Sequence, residues 1–175
     1  MNVRYGNLNI NPHKLSKILK YLFAVGLLTI FFGKVAWAVQ PPTLDNKPDV
    51  TVYKTASCGC CAVWVDQLEQ SGLDVEVILV NQTNSVRSRL GVPQTLASCH
   101  TSVVGNYWVE GHVPVDLVQK LLHEQPADIK GIAVPGMVPG SPGMESPRPV
   151  EYQVISVDDS GEIAVYATRE GRSIR

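Results

Sequence analysis

The chain has 175 residues, a formal net charge of −1 and no long run of like charge. That balance offers no concentrated basic face, so nucleic acid is excluded as a partner. A chain of this length can build a single core without disulfide staples, which leaves its four cysteines free for local chemistry.

The N-terminus carries Arg4, His13, Lys14, Lys17 and Lys20, then an apolar run from Tyr21 to Phe32. Gly33 and Lys34 break the run, and Ala36-Trp37-Ala38 supplies small residues at the −3 and −1 positions of a cleavage site. This is the layout of a secretory signal peptide over residues 1–38. The run falls short of the about twenty residues that a spanning helix needs, so a membrane association follows only if the leader stays uncleaved. The reading implies a periplasmic mature chain, in an oxidising compartment.

Residues 39–49 hold three prolines and read as an N-terminal linker, and a domain follows over residues 50–170. Val50–Lys54 alternates and is β-rich, a first strand. A helix begins at the cysteine motif with Ser57 as its N-cap. Cys61, Trp64, Val65 and Leu68 fall at i, i+3, i+4 and i+7 on its buried face, and Gly72 follows as the C′ residue. Asp74–Val80 reads as a second, more deeply buried strand, and Ser85–Leu90 as a short helix stopped by Gly91 and Pro93. Thr101–Val104 and Tyr107–Glu110 flank Gly105-Asn106 as a tight hairpin. Pro114 opens a third helix whose apolar face is Leu117, Val118, Leu121 and Leu122. The proline and glycine density from Pro126 to Pro149 excludes a regular element. Tyr152–Val157 and Glu162–Ala167 then form a last hairpin around Asp158–Gly161.

The first two strands, joined through a helix, should be parallel with a right-handed crossover. Cys58 to Cys61, a CxxC at the junction of the first strand and helix, sits where a thioredoxin-like fold carries its active site. The expected architecture is α/β, a thioredoxin-like βαβαββα fold with an added C-terminal Pro/Gly-rich loop and β-hairpin.

Cys58-Gly59-Cys60-Cys61 places three sulfurs within one turn of a helix N-terminus, which favours thiolates. A redox CxxC needs only two cysteines, so Cys60 speaks for a soft metal. Cys99-His100 precedes the third strand, and a thioredoxin-like layout would bring Cys99 to the same cluster as a fourth sulfur. Four thiolates suit zinc, copper(I) or iron–sulfur. Zinc prefers ligands delivered as separated pairs, whereas adjacent Cys60 and Cys61 suit bridging of several copper(I) ions. Copper(I) therefore stands ahead of zinc and of pure disulfide exchange by Cys58 and Cys61. A third alternative is a domain stapled by two disulfides. His100, His112, Met137 and Met144 are further candidate ligands, each with a structural alternative: strand or helix capping for the histidines, core-edge filling for the methionines. His13 and His123 have no identifiable partner.

Cys58-Gly59-Cys60-Cys61, Ser98-Cys99-His100-Thr101, Glu110-Gly111-His112-Val113-Pro114 and Gly140-Ser141-Pro142-Gly143-Met144-Glu145 occur in that order. Together they resemble the CopG-like family of periplasmic copper-resistance proteins over roughly residues 50–168. The resemblance implies a thioredoxin-like fold and copper(I) held by Cys58, Cys60, Cys61 and Cys99. It leaves open a multinuclear cluster and redox activity, and which copper chaperone or efflux pump is the partner. Export with cleavage after Ala38 predicts that protein recovered from the periplasm begins at Val39 on N-terminal sequencing. Recovery of the intact chain only with membranes would instead support an uncleaved anchor.

Overall fold

Alternating side chains set β1 (Val50–Lys54), which turns Val50, Val52 and Lys54 to one face and buries them. In a computed structural model the described residues are 47–172; the leader, its cleavage position, His13 and most of the linker lie outside them. Among the described residues no helix is long and apolar enough to cross a membrane.

The chain turns at Thr55–Cys58, where the Cys58 N–H donates to the Thr55 carbonyl at 3.2 Å. Helix α1 (Gly59–Gln70) therefore takes Cys58, not Ser57, as its N-cap, and no side chain caps it. It buries Cys61, Trp64, Val65 and Leu68, the expected face. Gly72, with φ +90°, closes it just past the C-cap Ser71. Strand β2 (Val75–Leu79) runs parallel to β1. It is not the more buried strand its composition suggests, because among the described residues β1 is its sole neighbour and it forms the sheet edge. Val77 and Leu79 are accordingly exposed.

Helix α2 (Asn84–Leu90) ends at Gly91, and a 3₁₀ turn (Gln94–Leu96) leads to β3 (His100–Val104). Strand β3 pairs antiparallel with both β1 and β4 (Tyr107–Glu110). Between β3 and β4 only Gly105 takes a positive φ, the pattern of a turn with glycine first. Helix α3 (Val115–Glu124) follows Pro114, which sits at the N-cap rather than inside the first turn.

The stretch from Pro126 to Pro149, expected to be irregular throughout, contains β5 (Gly131–Ala133), parallel to β4. Three residues suffice because β5 is buried on both faces, and Gly131 lets the strand lie against Trp108. Strands β6 (Glu151–Val157) and β7 (Ile163–Glu170) form the terminal hairpin, and β5 joins it to the rest. The hairpin is thus part of one seven-stranded sheet ordered β2-β1-β3-β4-β5-β6-β7.

Period two divides the core between the two faces. On one, Trp64, Val65 and Leu68 of α1 and Leu117, Val118 and Leu121 of α3 cover Val50, Val52, Val104, Val109, Ile132 and Val154. On the other, Val92 and Leu96 cover Trp108, Ala133 and Val157. Between Val154 and Ile155 the pairing skips Tyr166, an extra residue that bulges from β7. The tightest point is Gly131, where an added Cβ would enter the Trp108 indole. Gly131→Ala should lower stability by about 1–3 kcal/mol through overpacking, read as a shifted urea midpoint. An unchanged midpoint would mean that β5 is not seated on Trp108.

Candidate metal centre

Two strand ends and one helix start meet at one edge of the sheet. Lys54, the last residue of β1, lies opposite His100, the first of β3. The N-terminus of α1 and the residue before β3 are therefore neighbours. The Cys99 sulfur lies 3.5 Å from that of Cys61, though the two are 38 positions apart in the chain. Cys58 and Cys61 are joined by a disulfide, with Cα atoms 5.4 Å apart, while Cys60 and Cys99 are free. The Cys60 sulfur lies 3.6 Å from that of Cys58. Two stapling disulfides are thus not what the structure contains. The sulfurs of Cys58, Cys60, Cys61 and Cys99 all lie within 4.8 Å of one another.

A second donor set shares Cys61 and Cys99 and adds His100 and His112, with the same spread. The His112 Nδ1–H donates to the Pro142 carbonyl at 2.8 Å. That bond fixes the tautomer and turns the Nε2 lone pair toward the Cys99 sulfur, 3.0 Å away. His100 Nδ1 lies 3.3 Å from the same sulfur. Its ring lies tilted against Trp64 with centroids 4.4 Å apart and meets His112 edge-on at 4.9 Å. Burial, reinforced by the neighbouring His112, pushes the His100 pKa down to about 3. Burial lowers His112 as well. Both imidazoles are therefore neutral at physiological pH, the form that ligates metals. His100 Nε2 is buried without a hydrogen-bond partner. The Cys99 thiol is pushed up to about 12, first by burial and then by Cys60 beside it. The helix-end argument for easy thiolates thus does not extend to Cys99, where partial burial opposes ionisation.

The Pro/Gly loop closes one side of the site. Gly143 (φ +79°) lies so near α1 that an added Cβ would sit 2.8 Å from the Cys60 carbonyl and 3.0 Å from the Trp64 nitrogen. Glu145 Oε1 accepts from Gln67 Nε2 on α1 at 3.0 Å and from the Gly143 N–H at 3.1 Å. Trp64 is itself anchored, its Nε1–H donating to the Val113 carbonyl at 2.8 Å. Met144 follows Gly143 in this loop and is half-buried, whereas Met137 is exposed. His123 lies in the last turn of α3 and joins neither donor set.

From the opposite face of the sheet, Arg87 and Glu110 form a buried ion pair at 3.0 Å. Sequence reading gave neither residue a role. A buried arginine in a short helix looks like a surface charge until its partner is known. Removing one member of such a pair typically costs about 3–5 kcal/mol because the other is left buried and uncompensated.

Gly143→Ala should cost about 1–3 kcal/mol, since the left-handed backbone and the close approach to α1 are both denied to alanine. It should also release the His112 imidazole from Pro142, visible as loss of the single fixed tautomer in ¹⁵N NMR of the ring. Parent-like stability with an unaltered tautomer would mean that the loop is not packed on α1.

The family described as "Protein of unknown function, DUF411" matches residues 96–144, the segment holding Cys99, His100, His112 and Met144. No curated protein matches the chain. A solved structure named copper resistance protein CopG, form 2, is 43% identical, with a TM-score of 0.66, covering 70% of this chain and 98% of that one. Form 1 gives the same identity and TM-score over 71% of this chain and 100% of that one. Identity at that level over the whole of those chains, with the cysteine and histidine donors gathered at one edge, makes this protein a member of the CopG-like copper-resistance family.

Proposed function

We propose that this protein is a periplasmic copper(I)-binding protein of copper resistance, exported by its leader and binding the ion through Cys58, Cys60, Cys61 and Cys99. The observation that carries the reading is the convergence of Cys99 on the CGCC turn, with two neutral imidazoles beside it. Thiolates and imidazole are soft to borderline donors, and a sulfur-rich set selects copper(I) over harder ions. Adjacent Cys60 and Cys61 fit bridging of several copper(I) ions better than a tetrahedral zinc site, whose ligands come well spread. His112 is the stronger of the two histidine candidates, because the Pro142 carbonyl already orients its ring as metal-bound histidines are oriented. Met144 could add a thioether from the loop; the exposure of Met137 argues against it.

The thioredoxin-like description of the fold belongs with this proposal. It is supported by the order β2-β1-β3-β4 with β1 and β2 parallel, β3 antiparallel to both of its neighbours, and a helix after β1, β2 and β4. Strands β5–β7 are then an extension of that unit.

The Cys58–Cys61 disulfide favours a second reading, a periplasmic thiol–disulfide oxidoreductase. The two readings meet in one balanced step. An external dithiol can reduce the bond, its own sulfurs forming the new disulfide, and raise the number of free thiols here from two to four. Copper ions would be the cargo, received from or passed to a copper chaperone or efflux pump.

Anaerobic copper(I) titration of the reduced mature protein, with metal and thiols counted together, tests the proposal. Cys60→Ser should lower the copper stoichiometry or weaken retention against a chelator by about tenfold or more, the scale of one lost soft ligand. Disulfide exchange by Cys58 and Cys61 should survive the same substitution. If Cys60→Ser binds as many copper(I) ions as tightly as the parent, the cluster reading is wrong. Insulin reduction by the metal-free parent would then favour the oxidoreductase.

A further inference from the structure

Neither neighbour of Cys99 is free to move. The Ser98 N–H donates to Glu110 Oε1 at 2.6 Å, and the Ser98 carbonyl accepts from Arg87 Nη2 at 2.9 Å. The Ser98 hydroxyl donates to the Gly136 carbonyl at 2.6 Å. On the other side, the Thr101 hydroxyl donates to Glu110 Oε2 at 2.6 Å, and the His100 carbonyl accepts from the Gly111 N–H at 3.0 Å. Glu110 thus spends one oxygen on Ser98 and Arg87 and the other on Thr101. Arg87 spends the rest of its guanidinium on Glu110 (Nε, 3.0 Å), Asn84 (2.7 Å) and Thr83 (3.0 Å). Arg87 is 2% exposed and Glu110 0%, so these charge-assisted bonds act without competition from water.

Such a pair could merely tie α2 to the sheet. Two features argue otherwise. An ion pair whose task is adhesion is readily replaced by apolar side chains, which often stabilise as well or better. Here both charged groups also converge on Ser98, and no hydrogen bond of Arg87 or Glu110 goes to a sulfur or imidazole of the donor set. Period two explains the arrangement: His100 faces α1 and the sulfurs, while Thr101 faces α2 and the ion pair.

We propose, resting on the copper reading above, that Arg87 and Glu110 are positioning residues that hold the Ser98–Thr101 backbone from behind and thereby fix the Cys99 sulfur between Cys61 and His112. They touch no ligand atom. They set the fourth sulfur's place, and with it the tightness of copper(I) retention.

The test is a double-mutant cycle on the full reduced protein, using Glu110→Gln, Cys99→Ser and the pair together. Copper(I) retention is read by competition with a chromogenic chelator. If the pair acts through Cys99, Glu110→Gln should weaken retention about tenfold in the parent and add nothing once Cys99 is serine. Additive losses would overturn the proposal, because they would mean a general structural effect. A second readout needs no metal: the ratio of Cys99 to Cys60 alkylation rates by peptide mass spectrometry. Glu110→Gln should raise that ratio about tenfold, the loss expected when hydrogen bonds to a charged group fail. Leu121→Ala, a core truncation remote from the site, should lower the melting temperature and leave the ratio alone. An unchanged ratio in Glu110→Gln would overturn the clamp. If the parent holds no copper(I), the proposed function fails, and the alkylation arm still decides the clamp. Should Glu110→Gln not fold, Arg87→Lys keeps the charge but loses the fork to Ser98 and Thr83. It should raise the ratio in the same direction, and a parent-like ratio would count against the proposal.

Discussion

Antiparallel pairing of β1 with β3, in the register that sets Lys54 opposite His100, is the constraint on which the site depends. It ends β1 where β3 begins, so the turn into α1 and the residue before β3 arrive together. Side-chain parity then decides what each residue of β3 can do. A slip of one residue would exchange the environments of His100 and Thr101, sending the imidazole to α2 and the hydroxyl to the sulfurs. The valines of β1 and β3 oppose that slip. Val50, Val52 and Val104 share the face under α1, and all three are fully buried. Burying a side chain of that size is worth about 1.5–3 kcal/mol, so three of them outweigh any local gain from a shifted turn. The site's geometry is therefore inherited from core packing on the face it shares.

Burial at this edge sets the chemistry in a consistent direction. His100 and His112 are buried, and burial disfavours the charged form of each. Partial burial, with Cys60 beside it, disfavours an isolated Cys99 thiolate. A cation at the cluster would reverse the balance for sulfur, since a metal-bound thiol loses its proton outright.

The parts of this arrangement that could be read from sequence are those fixed locally. The i, i+3, i+4, i+7 set of α1 is buried as its spacing requires, and the alternation of Val50–Lys54 and the Gly105-Asn106 turn gave their elements directly. The CGCC turn and Cys99-His100 announced themselves by composition. What stayed hidden depends on global placement. Whether Val75–Leu79 lies at an edge or in the centre is decided by strand order, which its own residues do not encode. Strand β5 is too short to show a period, and its glycine reads as a breaker when its use is to admit Trp108. Arg87 follows Val86 in a seven-residue helix and resembles any solvated cation, because its partner Glu110 is 23 positions away. His100 and His112 both join the donor set, although sequence alone gave each a capping role as its alternative.

The C-terminal extension shows why a compact βαβαββα unit would be insufficient here. Ordering the long connection between β5 and β6 costs backbone entropy, on the order of 1–2 kcal/mol per residue fixed. Contacts that offset it include Gly143 against Cys60 and Gln67 on Glu145 at α1, and the Gly140 carbonyl accepting from the Arg172 N–H beyond β7. The loop also supplies the Pro142 carbonyl, and with it the orientation of the His112 ring. An imidazole free to rotate or change tautomer would present Nε2 to Cys99 only part of the time, and every lost fraction weakens binding by that fraction. The extension thus holds the His112 ring still, and it does so from the face opposite Arg87 and Glu110. Cys99 and His112 are held from different sides of the sheet by elements that need contribute no ligand atom of their own.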